Sequence, residues 1–128
     1  MNDSSVMNVE IRDGRTRFKP GQMVSGEASW HVEGIKSVEV RLFWYTSGIG
    51  TRDAQIIESR PVDSPAAEGR TGFSFQLPEQ PYSFSGQLIS LKWAIELVIQ
   101  PGDLAARAEI SVAPGGREIV LGTAPADA

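Results

Sequence analysis

The sequence predicts an all-β protein, an antiparallel β-sandwich of about seven to eight strands. In seven segments, apolar residues alternate with polar ones at the period of a strand with one buried and one wet face. Pro and Gly residues separate these segments, as turns do in a sandwich. No stretch has a convincing helical period, and a parallel sheet would need crossover helices between its strands.

The alternating segments are, in chain order, residues 6–12, 22–32, 36–46, 54–59, 72–77, 87–100 and 104–112. The pattern is weakest in 54–59 and longest in 87–100, where every second residue from Ile89 to Ile99 shares one face. The stretch 103–109 has some helical character. Because Ile110 and Val112 continue the alternation that begins at Leu104, we expect a strand there.

Three glycine positions make specific predictions. Asp13-Gly14 predicts a hairpin turn, because Gly accepts a positive φ at no steric cost. Pro20-Gly21 predicts a type II turn, in which Pro presets φ and Gly supplies the positive φ. Gly26 lies inside a strand pattern and indicates either a bulge or a close approach of another backbone.

The three tryptophans fall in phase with the apolar residues of their segments. Trp30, Trp44 and Trp93 are therefore expected to pack between the two sheets. A cluster of buried indoles would leave no row of exposed Trp rings at the surface.

Composition excludes several classes of site. The chain has 128 residues, no cysteine, one histidine and a formal charge of −4. Thiolate metal sites and cysteine nucleophiles are excluded, and His31, on a polar face, has no marked nucleophile beside it. We therefore predict no cofactor and no metal. Net acidity argues against nucleic acid, no apolar run is long enough for a membrane span, and the lack of an export signal makes the cytoplasm the expected location.

Three segments together resemble an arrestin-type domain. The first, Phe18 to Glu27, is similar to the family's aromatic-x-Pro-Gly-x-x-Val-x-Gly opening. The second, Ile35 to Tyr45, stands in the place of the strand that follows. The third, Phe73 to Gly86, resembles the family's Phe-x-Phe-x-Leu-Pro and Pro-x-Ser-Phe-x-Gly segment, which leads into a long central strand, here Leu88 to Gln100. The resemblance implies an immunoglobulin-like β-sandwich and an adaptor or scaffold role without catalysis.

The resemblance also sets the expected domain organisation. Arrestins carry two such sandwiches in tandem, whereas this sequence has room for one, over residues 1–112. Residues 113–128 are expected to be a partly flexible C-terminal extension, with the apolar stretch Ile119 to Leu121 as a candidate for docking on the sandwich. The interface between tandem domains is then either missing or replaced by self-association, so a homodimer is a further expectation.

Four residues of one strand are the candidate protein-binding site. Phe43 and Tyr45 lie out of phase with Trp44, on the face that also carries Glu39 and Arg41. If Trp44 points inward, the two aromatic rings point outward beside charges, a composition enriched at protein interfaces. The competing interpretation is that a loop, the tail or a neighbouring strand covers them. Leu88 and Val98 also fall on the outer face of the longest segment.

The sequence thus favours a non-catalytic protein-interaction module that binds its partners through a sheet edge or an outer sheet face. The alternative is a sandwich that binds carbohydrate or another small ligand, which would need exposed Trp or Tyr rings. An enzyme is disfavoured, because no nucleophile motif accompanies the single histidine.

Overall fold

Ten strands account for most of the molecule. The computed structural model describes residues 6–48, 53–86, 89–116 and 119–120. Within these residues the strands are β1 (Val6–Ile11), β2 (Arg17–Phe18), β3 (Met23–His31), β4 (Ser37–Gly48), β5 (Ala54–Pro61), β6 (Glu68–Gln76), β7 (Phe84–Ser85), β8 (Ile89–Gln100), β9 (Leu104–Val112) and β10 (Ile119–Val120). One turn of 3-10 helix, at Arg12–Gly14, completes the described elements. The predicted all-β class is confirmed.

The strands form two sheets that pack as a sandwich. The smaller sheet has three strands in the order β1-β3-β6, all antiparallel. In the seven-stranded sheet, β10, β7, β8, β4 and β5 follow one another, β9 pairs with β8, and β2 pairs with β9. All the long strands pair antiparallel, as predicted. The short pairs β2–β9 and β10–β7 are parallel, which the sequence pattern did not indicate.

Strand β8 is the centre of the larger sheet. It pairs along its whole length with β4, so that Trp93 lies opposite Trp44 and Glu96 opposite Arg41. Its other edge pairs with β9 through a turn at residues 101–103, which brings Glu96 opposite Arg107. Three neighbouring strands of known register therefore present one continuous outer surface, with β5 beside them on β4.

The core lies between the sheets and consists mainly of the side chains that the alternation placed inward, together with Phe18 of β2, which lies outside the alternating segments. The largest fully buried ones are Trp93, Phe18, Phe75, Leu42, Leu77, Ile95, Leu97, Ile99, Val24, Val38, Val40 and Val112. Trp30 is also buried, and each of the two indoles donates its N–H to a backbone oxygen, Trp30 to Ala66 and Trp93 to Pro81, both at 2.9 Å. Trp44 is only half-buried against this core, so the expectation holds in full for the other two.

The two predicted turns have different outcomes. At Pro20-Gly21, the amide of Gln22 donates to the oxygen of Lys19 at 3.2 Å, and Gly21 has a φ of 83°, as the type II prediction requires. The hairpin predicted at Asp13-Gly14 is wrong. Asp13 and Gly14 both take positive φ in the 3-10 turn, and the chain leaves β1 for the other sheet, where β2 pairs with β9.

Gly26 is a site of close approach and not of a bulge. Its register with β1 and β6 is unbroken, with Ile11 and Phe73 as partners. An ideal Cβ at this position would collide with the backbone oxygen of Glu10 and lie 2.7 Å from Cζ of Phe73. Glycine is therefore required here by packing.

The C-terminal region begins inside the sandwich. Ala113 is 1% exposed, and its amide donates to the oxygen of Phe18 at 3.1 Å. Further along, β10 pairs with β7 at Phe84 and Ser85. The last residues, which the sequence predicts to be flexible, lie outside the described residues. So does Leu121 of the apolar stretch. The boundary between 1–112 and 113–128 stays a prediction.

Candidate interaction surface

The four residues singled out in the sequence lie together on one surface of β4. Glu39, Arg41, Phe43 and Tyr45 alternate along the strand with the core residues Val38, Val40 and Leu42. We call this side of β5, β4, β8 and β9, turned away from the three-stranded sheet, the outer face. Its rows follow from strand register, since residues directly opposite each other share a face.

The aromatic pair is stacked and covered. The ring centroids of Phe43 and Tyr45 are 5.6 Å apart at an interplanar angle of 23°. The guanidinium carbon of Arg107, from β9, lies 5.0 Å from the Phe43 centroid and 4.8 Å from the Tyr45 centroid. Phe43 is consequently 7% exposed, and the expectation of an exposed ring is wrong for it, because a neighbouring strand supplies a cover. Tyr45 remains half-buried.

An ion pair with Glu96 holds Arg107 in this position. Its Nη2 donates to Oε2 of Glu96 at 3.0 Å, on the strand between its own and β4. To reach the rings on β4, the Arg107 side chain crosses β8 at Ala94. Ala94 lies opposite Phe43 and is fully buried. A small side chain at Ala94 leaves the path open, so a cation from β9 can reach rings on β4.

Two more charged groups close the aromatic end of the face. Tyr45 donates its hydroxyl to Oε2 of Glu109 at 2.7 Å, and Lys92 lies 3.5 Å from the other oxygen of the same carboxylate. Burial, reinforced by the hydrogen bond to Glu109, raises the pKa of the Tyr45 phenol. The ring is thus fixed at both its face and its hydroxyl.

At the other end of the face lies a third ion pair. Arg41 Nη2 donates to Oε1 of Glu39 at 2.7 Å, and Ser59 of β5 donates a hydrogen bond to the other carboxylate oxygen. These hydrogen bonds, the one from Arg41 first, hold the pKa of Glu39 below its ordinary value. Nε of Arg41 is buried without a hydrogen-bond partner. Because the two side chains are only 27% and 31% exposed and Ser59 also binds the carboxylate, the pair is more constrained than a fully exposed ion pair.

The floor between the charges is apolar. Val98 is 5% exposed and Ala94 is fully buried, although both lie on the outer side of β8. Leu88, which the sequence placed on the same side, lies outside the described residues. At the edge of the face, Ile56 of β5 is 49% exposed next to Phe43.

A shallow depression of about 560 Å³ opens beside the aromatic pair. Its lining is formed by Phe43, Tyr45, Thr46, Ser47, Gly48, Asp53, Ala54 and Arg107. Two hydrogen bonds fix its rim, since Asp53 N–H donates to Thr46 Oγ1 at 2.8 Å and Thr46 N–H donates to the Asp53 oxygen at the same distance. Residues 49–52, which connect the two strands here, lie outside the described residues.

The sequence reasoning missed Arg107, Glu96, Glu109 and Lys92. A signal for them was present, because segments 87–100 and 104–112 are joined by the turn residues Pro101-Gly102. An antiparallel hairpin across that turn brings the polar positions of both segments into the same rows. What the pattern could not supply is the reach of Arg107 across β8 to the rings on β4.

Three other features of the described residues bear on function. No group of three or more His, Cys, Asp or Glu side chains is arranged there to hold a metal ion. His31 is half exposed, with Nε2 at 3.8 Å from Glu33, as expected for a solvated strand residue. The described ranges contain no helix that is long and apolar enough to cross a membrane.

Comparison with known proteins supports the fold and nothing finer. No protein-family model matches the chain, and no curated protein matches it. The crystal structure of Spo0M, a sporulation control protein from Bacillus subtilis, superposes with a TM-score of 0.57 at 19% identity, over 85% of this chain and 49% of that one. The chain thus spans about half the length of Spo0M, and the likeness supports an arrestin-like sandwich. A β-glucosidase from Listeria innocua, in complex with gluconolactone, superposes with a TM-score of 0.47 at 12% identity, over 91% of this chain and 17% of that one. A TM-score this low does not support a conclusion about fold or function.

Proposed function

We propose that this chain is a non-catalytic protein-interaction module of arrestin-like type, an adaptor or scaffold that binds a protein partner through the outer face. The observation that carries the proposal is the fixed cluster in which Arg107 lies on the stacked rings of Phe43 and Tyr45. Arginine and aromatic side chains that are already held in place lose little conformational entropy on binding, and they dominate the energetics of protein interfaces.

The edge of β5 extends the same surface. Its eight residues, Ala54–Pro61, pair with β4 on one side and are largely exposed. This strand carries two charged side chains and a proline that disfavour pairing with another strand along the whole edge: Glu58, Arg60 and Pro61. The outer face is therefore the primary contact in this proposal, and the edge contributes exposed apolar side chains such as Ile56.

A carbohydrate platform has less support. Sugar rings stack on open aromatic faces, whereas Arg107 occupies the open side of the Phe43–Tyr45 pair. Trp30 and Trp93 are buried. We therefore propose protein binding and not carbohydrate binding. We also propose a cytoplasmic location.

The test is a quantitative capture experiment with the full chain immobilised. Proteins from cells of the native host are captured on wild type and on the variants Tyr45→Ala and Arg107→Ala. Tyr82→Ala is the matched control, since Tyr82 is a 37% exposed tyrosine that belongs to none of the strands of the outer face. We expect at least one protein retained by wild type and Tyr82→Ala, with recovery reduced about tenfold or more on the other two. Equal recovery on all four proteins would refute the proposal.

A further inference from the structure

We infer that the partner of the outer face is a second copy of this chain, packed face to face about a twofold axis. The inference rests on the proposed function, because it names the partner of the same surface. It is carried by the distribution of charge on that surface and by the size of the surface.

The outer face is neutral within an acidic protein. Of the described residues on β4, β8 and β9, the charged ones on this side are three cations and three carboxylates: Arg41, Lys92, Arg107, Glu39, Glu96 and Glu109. The whole chain carries a formal charge of −4. Because the six charges cancel, two copies that approach through this face meet no net like charge from these residues.

The charges are also arranged so that the face complements itself. Glu39 lies at one end of β4, and the guanidinium of Arg107 lies over Tyr45 toward the other end, with Phe43 between them. A twofold axis that runs across the strands near Arg41 and Phe43 reverses β4 in the second copy. Each Arg107 then faces Glu39 of the other copy, and the same contact forms twice.

The centre of such a contact is favourable as well. Near the axis, the row of Arg41 and Glu96 in one copy comes opposite the row of Phe43 and Ala94 in the other, so that a Glu96 carboxylate approaches the Arg107 guanidinium that covers Phe43. Four strands about 4.8 Å apart and four rows about 6.8 Å apart give roughly 500 Å² per copy, or about 1,000 Å² in total. An interface of this size is at the lower limit of specific association and belongs to the size class of weak, transient complexes.

Charge reversal tests the geometry directly. Sedimentation velocity on the full chain, from about 1 to 500 μM, measures the dimer dissociation constant. In Arg107→Glu, both cross-contacts become Glu against Glu; in Glu39→Arg, both become Arg against Arg. Each variant alone is expected to weaken the dimer about tenfold or more. An equimolar mixture of the two restores both opposite-charge contacts, so a mixed dimer forms at close to wild-type affinity.

Matched reversals on the other sheet provide the control. Arg70→Glu and Glu27→Arg change an exposed ion pair on the three-stranded sheet, where the two groups lie 3.6 Å apart. They are expected to leave the dissociation constant within about twofold. Thermal melting of all variants shows whether each is folded. If a reversal variant unfolds, the pair Arg107→Gln and Glu39→Gln replaces the reversals. Each is expected to weaken the dimer, and their mixed dimer regains one of the two Arg–Glu contacts, so a partial restoration is expected.

The outcomes separate this inference from the proposed function. Dimerisation that both single reversals weaken and their mixture restores supports the second copy. A wild-type chain that is monomeric over the whole range overturns it, as do single reversals that mixing does not rescue. If the chain is monomeric and Tyr45→Ala still loses a captured protein, the inference fails and the proposed function stands. If the chain is monomeric and capture is unaffected, both fail.

Discussion

Arg107 lies over Tyr45, with 4.8 Å between its guanidinium carbon and the ring centroid, although the two residues belong to strands separated by a third. Glu96, on the intervening strand, takes the hydrogen bond that holds the guanidinium there. One cation thus links three strands of the sheet on its outer side. Its removal should have measurable consequences for stability, independent of any partner.

Arg107→Ala should lower the free energy of unfolding by about 1–2 kcal/mol. The variant uncovers the Phe43 ring and leaves Glu96, whose side chain is 13% exposed, without its partner. Urea unfolding followed by tryptophan fluorescence gives the value. Arg70→Ala is the control, because its side chain is 74% exposed and its ion pair is long, so a change within about 0.5 kcal/mol is expected. Equal effects of the two substitutions would contradict the role assigned to Arg107.

Trp93→Ala should cost about 3–5 kcal/mol of stability. The indole is fully buried at the centre of the core, and its N–H donates to the oxygen of Pro81. Trp93→Phe keeps most of the packing and loses that hydrogen bond, so a cost of about 1–3 kcal/mol is expected. Differential scanning calorimetry should give the highest melting temperature for wild type, a lower one for Trp93→Phe and the lowest for Trp93→Ala. A Trp93→Ala protein that melts with wild type would show that this face of β8 is not in the core.

Alternation of polar and apolar residues was enough to predict the faces of the long strands. In β8, the inward set from Leu91 to Ile99 and the outward Lys92 and Glu96 all lie where the period of two places them. The inward residues must be apolar because they are buried against a second sheet. The sequence of each strand therefore shows which face is buried. The same holds for β9, whose Ile110 and Val112 are buried.

Strand neighbours at long separation could not be predicted in this way. The two-residue strands β2, β7 and β10 contain too few positions to show a period, and their pairing follows from where the sandwich leaves open edges. The cover over Phe43 depends on Arg107, which is 64 positions away in the chain from Phe43, as Glu109 is from Tyr45. Patterns within one segment carry no information on such contacts. For this reason the sequence left open whether a neighbouring strand covers Phe43 and could not identify Arg107 as the cover.

Gly26→Ala should strongly destabilise the protein, by about 2–4 kcal/mol. The added methyl group collides with the backbone oxygen of Glu10, which cannot move without shifting β1, and with the Phe73 ring. Gly72→Ala, on the neighbouring strand, is the matched control. Its nearest atom is the Gly26 oxygen at 3.8 Å, and it should be neutral or slightly stabilising. Chemical denaturation gives the free energy of unfolding of both variants. A Gly26→Ala protein as stable as the control would mean that β1 and β3 are not in this register.

The pH dependence of stability should report the ion pair at the other end of the outer face. Hydrogen bonds from Arg41 and Ser59 hold the pKa of Glu39 below its ordinary value of 4.5. A carboxyl whose folded pKa is lowered stabilises the protein at pH values above its unfolded pKa, and this contribution is lost as the pH falls through the folded pKa. Wild type should therefore lose more stability than Glu39→Gln on going from about pH 6 to about pH 3.

Melting temperatures of wild type, Glu39→Gln and Glu68→Gln across that range provide the measurement. Glu68, exposed at the start of β6, is the control for removing one carboxylate from the chain. Because protonation of Glu39 breaks its charge-assisted hydrogen bond to Arg41 but leaves the fold intact, the wild-type and Glu39→Gln curves should converge at the acidic end and separate at neutral pH. The Glu68→Gln curve should follow wild type throughout. Parallel curves for wild type and Glu39→Gln would show that the Glu39–Arg41 pair adds no pH-dependent stability to this face.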